Sequence, residues 1–530
     1  MTLTMRVVRL LPALLLGLAA ETLRGESLTR LAISVSSNTC WWAGIIDHGF
    51  QMPLADGYQA DLSGNTYGNQ SQPLLLSSRG DVIWCDEAFA FQLSGDDLVV
   101  ETSGDPLRRA KPGNSLRDAF LYASRTCFPP SGKMPNELLF LAPQYNTWIE
   151  LMYDQNQNDI LKYAQGIETN GFPPGVLMID DNWQQNYGQW EFKKTKFPDP
   201  KAMIETLHAR GFKVMLWTCP FVNTNCDAYH ELVHRNLLLK DPSGAVAFIK
   251  WWNGESALLD FANPAAAAWF GSRLDYLQST YDVDGFKFDG GDSSFYKGAI
   301  ACRPVSPNTQ SELYGSIGLH YPLNEYRAMW KMGGQPLAER LRDKNHSWSD
   351  LGKLVPNMLL EGLMGYPFSC PDMIGGGEYK SFQAASVIDQ ELIVRSAQCH
   401  ALMPMMQFSV APWGILDGPH LRAVLKAVRL REGHKNYILG LARQSASTGE
   451  PIVRSMEYVF PHQGYERIND QFLLGNQILV APVLNKGACQ REITLPDGTW
   501  KGFDGKQYSG PAKFLMPVPY DELCYFEKAN

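Results

Sequence analysis

At 530 residues the chain is too long for one ordinary domain and calls for two or three packed units. Hydrophobic residues make up 45% and charged residues only 19%, the composition of a globular protein rather than a disordered one. The net charge of −8 is scattered and no Lys/Arg-rich run occurs, which argues against nucleic acid and anionic membranes as partners.

The N-terminus, MTLTMRVVRLLPALLLGLAA, sets Arg6 and Arg9 ahead of an apolar run from Leu10 to Ala20. This predicts a signal peptide over residues 1–25, because the run is short for a bilayer span; an uncleaved anchor is the competing reading. The expected location is the secretory pathway, either secreted or in the endoplasmic reticulum or lysosome lumen, with no membrane span after signal removal. Ten cysteines suit an oxidising compartment, as disulfides or plain buried thiols, and their spacing matches no metal site. Sequons at Asn69 (NQS) and Asn345 (NHS) mark candidate glycosylation sites.

Residues 26–132 hold short apolar or alternating runs such as DVIWC, AFAFQL and DLVVET, broken by Gly, Asp and Ser, which predict an N-terminal β-sandwich. From residue 133 the rhythm changes. A helical stripe of Ile160, Leu161, Ala164 and Ile167 closes at Gly171 and leads into the strand VLMIDD, residues 176–181. A second helix, with Met203, Ile204 and Leu207, closes at Gly211 before the strand KVMLWT, residues 213–218. Asn263 and Pro264 read as N-cap and first helical residue of a helix that buries Trp269, Phe270, Leu274 and Leu277 and feeds the strand GFKF. Apolar strands alternating with amphipathic helices mean parallel βαβ units, and residues 133–445 have the length of a (β/α)8 TIM barrel. An open doubly wound sheet is the alternative, but no glycine-rich phosphate fingerprint follows the first strand. Residues 446–530 return to short strands and turn pairs, a C-terminal β-domain.

In such a barrel the polar residues at the C-terminal ends of strands face the active site. Asp180 and Asp181 end one strand, Trp217 and Thr218 another, and Asp289 a third. Lys287 shares a face with Asp289 through the two-residue strand period and is expected to hold it ionised. Aromatic residues lie near these ends: Trp183, Trp190, Trp217, Trp251 and Trp252. Acids set among aromatic faces suit a sugar, whose hydroxyls need acceptors while its C–H faces pack on rings. Glycoside hydrolysis needs two carboxyl groups, one ionised and one protonated. Asp289 is the candidate nucleophile. Asp350, just after His346 and Trp348, is the candidate acid, with a pKa expected to be raised by ionised Asp289; a helix N-cap is the competing reading. This chemistry requires no metal and no organic cofactor.

Taken together, APQYNTW, MIDDNW, FPDPKAMIETLHARGFKVMLWTCPF, KWWNG, DGFKFDGGD, HSWSDLG, LMGYPFSCPDMIGGG, MPMMQFS, GEPIVRS and DQFLLGNQILVAPVL resemble, in this order, glycoside hydrolase family 31, the retaining α-glycosidases, and within it the myogenesis-regulating branch. The resemblance implies that Asp289 is the nucleophile and Asp350 the acid/base. It further implies that Arg340 grips the sugar next to the scissile bond, that Asp180 and Asp372 bind hydroxyls, and that Trp217, Lys287 and one of Trp251 or Trp252 line the pocket. The substrate it implies is an oligosaccharide or glycoconjugate ending in an α-linked hexose, an α-galactoside first and an α-glucoside second. A glycan-binding pseudoenzyme is the third possibility. Three positions depart from the family pattern: Gln407-Phe408-Ser409 stands where many α-glucosidases have a histidine, Trp348 and Asp350 are one residue closer than the usual Trp-x-x-Asp, and Asp292 replaces a glutamate three residues after the nucleophile.

Overall fold

The computed structural model describes residues 28–529 apart from residue 37, so the expected signal segment lies outside the described residues. Eight short parallel strands form the central sheet: β1 (Gln144–Asn146), β2 (Val176–Ile179), β3 (Lys213–Thr218), β4 (Gly285–Phe288), β5 (Leu323–Tyr326), β6 (Glu339–Arg340), β7 (Ser369–Cys370) and β8 (Gln407–Phe408). Each pairs with its sequence neighbour from β1 to β7, and β8 pairs with β1. A parallel bridge between Met373, just past β7, and Gln407 brings the two edges together, so the sheet is a nearly closed barrel. This is the expected TIM barrel, with β-sheet domains on both sides of it in the sequence.

The helices form where periodicity and caps place them. Helix α1 (Gln157–Thr169) is capped by Asn156 and buries Ile160, Ala164 and Ile167 together with Tyr163. In α2 (Pro200–Ala209), Asp199 caps the first turn and proline holds N1. Asn263 and Pro264 open α3 (Pro264–Tyr281) in the expected roles, and Trp269, Phe270, Leu274 and Leu277 are buried on it. Gly171 and Gly211 leave their helices at φ +79 and +86, values that an L side chain rarely adopts. Further round the barrel come α4 (Pro307–Ile317) and α5 (Trp348–Leu363).

Two departures from an ideal barrel matter to the site. No helix joins β5 to β6. Instead Met329–Trp330 pairs in parallel with the N-terminal strand Gln70–Ser77, which is buried along its whole length. The N-terminal sheets are thereby welded to the barrel wall, and a single apolar core runs through both. Between β3 and β4, an antiparallel three-stranded insertion (Phe221–Val222, Phe248–Trp251 and Gly254–Leu258) rises over the barrel mouth. The C-terminal six-stranded sheet packs around a smaller core of its own that contains Trp500 and Phe526.

The structure narrows two readings of covalent chemistry. All ten cysteines are free thiols, and six of them are buried, which fits the buried-thiol reading for those six. Asn69 is fully buried, and its amide donates to the carbonyls of Arg327 and Arg340; a glycan cannot be attached there in the folded chain. Among the described residues, no helix is long and apolar enough to cross a membrane.

Candidate active site

The barrel interior below the mouth is charged. Strand register sets Trp217, Lys287 and Glu325 side by side on β3, β4 and β5. Lys287 Nζ does not pair with Asp289, as its shared face had suggested. It reaches across β3 to Asp180 Oδ2 at 2.6 Å, and both side chains are almost completely buried. Burial opposes the lysine charge, but Asp180 together with Asp289 and Glu325 more than compensates, and the ammonium is retained. Glu325 accepts a hydrogen bond from Gln407 Nε2 at 2.6 Å, so Gln407 lies fully buried beneath the pocket.

Asp289 follows β4 at the mouth. Its Oδ1 accepts from Arg327 Nε at 2.6 Å and from its neighbour's amide, Gly290 N, at 2.8 Å; its Oδ2 accepts from Trp217 Nε1 at 3.0 Å. Burial would push this carboxyl up, yet Arg327, then Lys287 and Arg340, hold it well below the usual carboxylate range. The partner that matters most is therefore Arg327, a residue that sequence reasoning missed. It stands one residue past the end of β5, in the sequence EYRAMW, and a polar side chain at a strand end was the signal available. Its guanidinium also donates through both terminal nitrogens to Asp292 and to the Gly68 carbonyl, and its Cζ lies 5.5 Å from the Trp252 ring centroid. Asp292, flagged as a departure from the family, is thus the second carboxylate that fixes this arginine.

These residues line one cavity of about 920 Å³ with Asp180, Asp181, Trp217, Lys287, Asp343 and Asp350. Its outer wall comes from the N-terminal region, through His48, Phe50 and Tyr67, and from Tyr379 after β7. Asp181 accepts from Asn182 N, Gln184 Nε2, Tyr187 Oη and Asn253 Nδ2. Burial, with no cation beside it, pushes its carboxyl up to about 7.

Other expected site residues take different places. Arg340 is only 1% exposed, and its Nη1 is already committed to Asp343 at 2.7 Å, Asp372 at 2.6 Å and the Leu341 carbonyl at 3.0 Å. It lines the cavity from deep in the wall, with Nη1 spent on these acceptors. Asp372 is fully buried and accepts from Arg340, Lys344 N and Gly377 N, which anchors the loop after β7 rather than presenting a carboxylate to the pocket. Of the two adjacent tryptophans, Trp252 faces the cavity at 47% exposure, while Trp251 is buried against Phe221 and Tyr187. Trp183 and Trp190 are core residues.

Asp350 lies on the cavity in the first turn of α5, where Ser347, not Asp350, is the N-cap. Its Oδ2 accepts from both the backbone N and the Nδ2 of Asn345 at 2.7 Å, and its Oδ1 from Lys353 Nζ at 2.7 Å. Despite partial burial, the lysine and the Asn345 donors lower its pKa, opposite to the raised value expected of a waiting acid. Asn345, the second sequon, is spent in the same contact at the cavity rim. Asp343, three residues past the end of β6, also lines the cavity. Its Oδ1 takes the Arg340 hydrogen bond, and its side chain is 37% exposed. Sequence reasoning passed over it within the same segment, RLRDKNHSWSD.

The nearly closed eight-stranded parallel barrel is shared with known proteins. The chain matches the Glycosyl hydrolases family 31 TIM-barrel domain over residues 141–340 and the Glycosyl hydrolase family 31 C-terminal domain over residues 449–530. It is 35% identical over 513 residues to the myogenesis-regulating glycosidase of Mus musculus, covering 90% of this chain and 71% of that one. It is 24% identical to the alpha-xylosidase XylQ of Lactiplantibacillus pentosus, covering 87% of this chain and 63% of that one. A family 31 dextranase from Flavobacterium johnsoniae, solved with glucose, shares the fold with a TM-score of 0.82 at 20% identity, over 96% of this chain and 67% of that chain. The chain belongs to glycoside hydrolase family 31.

Proposed function

We propose that this chain is a retaining exo-α-glycosidase that releases a terminal α-linked hexose by double displacement. The observation that carries the reading is Asp289, buried at the mouth, held ionised by Arg327, and aimed into a cavity large enough for a sugar and part of what it is joined to. Asp289 attacks the anomeric carbon as the glycosidic bond breaks, forming a glycosyl ester. An acid on the opposite side protonates the departing oxygen, then takes a proton from water as the ester is hydrolysed. For that acid the geometry favours Asp343 over Asp350. Both oxygens of Asp350 are occupied by donors that stabilise its charge, whereas Asp343 has one oxygen beside Arg340 and a partly open side chain. Asp180 and Lys287 form the polar floor, and Trp217 braces the nucleophile. An α-galactoside is the first candidate because of the branch resemblance, with 35% identity to the mouse glycosidase in support.

The test is a panel of aryl α-glycosides of galactose, glucose, xylose and N-acetylgalactosamine, with proton NMR of the first-formed sugar. Release of galactose as its α-anomer supports the full reading. Release of glucose or xylose replaces the sugar and keeps the mechanism, and a β-anomer product removes the mechanism. Inactivity on the whole panel, with oligosaccharide binding retained, replaces the hydrolase by a glycan-binding pseudoenzyme.

A further inference from the structure

The insertion between β3 and β4 ends in a tight hairpin whose last strand pair is Trp251 with Gly254. Two residues make its turn, Trp252 and Asn253. Tight hairpin turns favour Asn, Asp and Gly, so a tryptophan there gains nothing from turn chemistry and leaves a large apolar face in water. Trp252 is 47% exposed and stands on the cavity, with the Arg327 guanidinium 5.5 Å from its ring centroid. Trp251 and Phe295 meet it edge-on or tilted at 5.0 and 6.1 Å, which leaves part of the ring open to the cavity.

The hairpin's outer strand has little to hold it, since Phe248 and Lys250 are exposed and Ile249 half-buried. Its tip is tied by Asn253. The Nδ2 donates to Asp181 Oδ2 at 2.6 Å and to Tyr187 Oη at 2.8 Å, and the Oδ1 accepts from Tyr153 Oη at 2.7 Å. These three partners come from three different segments: the loop after β2, the short hairpin that follows it, and the turn after β1. An amide that meets three separate elements through both its ends fixes the turn in position and orientation, and the residue fixed beside it is Trp252.

We propose that Asn253 is a positioning residue that holds Trp252 as the platform for the group attached to the scissile sugar, a second sugar or aryl ring that offers a flat C–H or π face. The platform rests on the hydrolase reading, whereas the latch does not. Arg327 couples the two, because the cation that holds Asp289 is the one beside the Trp252 face, so a ring stacked there lies next to the nucleophile's own support.

The experiment compares full-length wild type, Asn253→Ala, Trp252→Ala and the double variant on an aryl α-glycoside and on the matching α-glycosyl fluoride, whose leaving group has no ring to stack. Asn253→Ala is expected to cut kcat/KM for the aryl glycoside about tenfold more than for the fluoride, mainly through KM. Trp252→Ala is expected to show the same split, and the double variant to be no worse than Trp252→Ala. Equal losses on both substrates, or a double variant that multiplies the two single effects, would overturn the proposal. Amide hydrogen exchange of residues 248–258 gives a reading that needs no turnover. Exchange is expected to be faster in Asn253→Ala, and unchanged exchange would overturn the latch. A wild type inactive on every substrate removes the hydrolase reading and with it the platform, and the exchange comparison then decides the latch alone.

Discussion

Replacing Arg327 by methionine keeps most of the side chain's volume and removes its charge. Four contacts disappear: the bond to Asp289 Oδ1, the two to Asp292 and the one to the Gly68 carbonyl. Two carboxylates exposed by only 12% and 9% are left without their main counter-charge. Breaking a buried ion pair by removing one partner costs about 3–5 kcal/mol, most of it from the stranded charge. The loss is expected in that range, read from urea unfolding followed by tryptophan fluorescence. The sign with pH is fixed by Asp289. Its folded pKa is depressed, so its stabilising share is present above the unfolded value near pH 4 and is lost as pH falls through the folded pKa. Arg327→Met removes that share at neutral pH, and the gap to wild type should narrow on acidification. In the same variant burial is no longer outweighed at Asp289, so the acid limb of kcat/KM should move to higher pH. Adding Asp289→Asn should recover part of the stability, because a neutral amide needs no counter-charge while Asp292 stays unpaired. A loss below about 1 kcal/mol with an unchanged pH profile would refute the assignment of Arg327 as the nucleophile's support.

The two candidate acids separate by leaving group: Asp343→Asn should slow substrates with poor leaving groups at least about a hundredfold while sparing activated aryl glycosides, the signature of lost acid assistance. Asp350→Asn should show no such dependence, and the reverse pattern would return the role to Asp350. Asp181 has a raised folded pKa of about 7, so the folded state holds a proton that the unfolded chain has released. This group should remove about 4 kcal/mol of stability as pH rises from about 4 to about 7, and the melting temperature of Asp181→Asn should fall less than that of wild type over that interval. Equal slopes would show that Asp181 is ionised throughout. Thiol titration in guanidinium chloride without reductant should find all ten cysteines reactive, and eight or fewer would mean a disulfide that the fold does not contain.

The barrel was legible because its signals are local. Strands VLMI, KVMLWT and GFKF, the stripes of α1 to α3, and the Asn263-Pro264 start need only periodicity and capping chemistry to be recognised. The place of Asp289 at the mouth was legible too, because the C-terminal end of a barrel strand opens there. What failed depended on partners distant in sequence. Lys287 shares a strand face with Asp289, yet barrel curvature turns it toward Asp180, more than 100 residues earlier. Arg327 could not be matched to Asp289 and Asp292 without knowing that β5 lies beside β4. Asp372 looks like a pocket residue from its motif, and only depth shows that it is spent on Arg340 and the loop after β7 while Arg340 itself lines the cavity. Asp343 and Asp350 share one segment, and sequence has no means of showing that Lys353, one helical turn on, occupies the second. The Asn69 sequon failed for the same reason, since the pairing that buries it joins the N-terminal sheet to the barrel.

The central claim is that Asp289 attacks the sugar. Incubation with a 2-deoxy-2-fluoro-α-glycosyl fluoride of the sugar identified by the panel, or its 5-fluoro counterpart, should trap the glycosyl-enzyme, and peptide mapping by mass spectrometry should place one added sugar on Asp289 within DGFKFDGG. A label on another carboxylate, or steady turnover by Asp289→Asn at the wild-type rate, would contradict it.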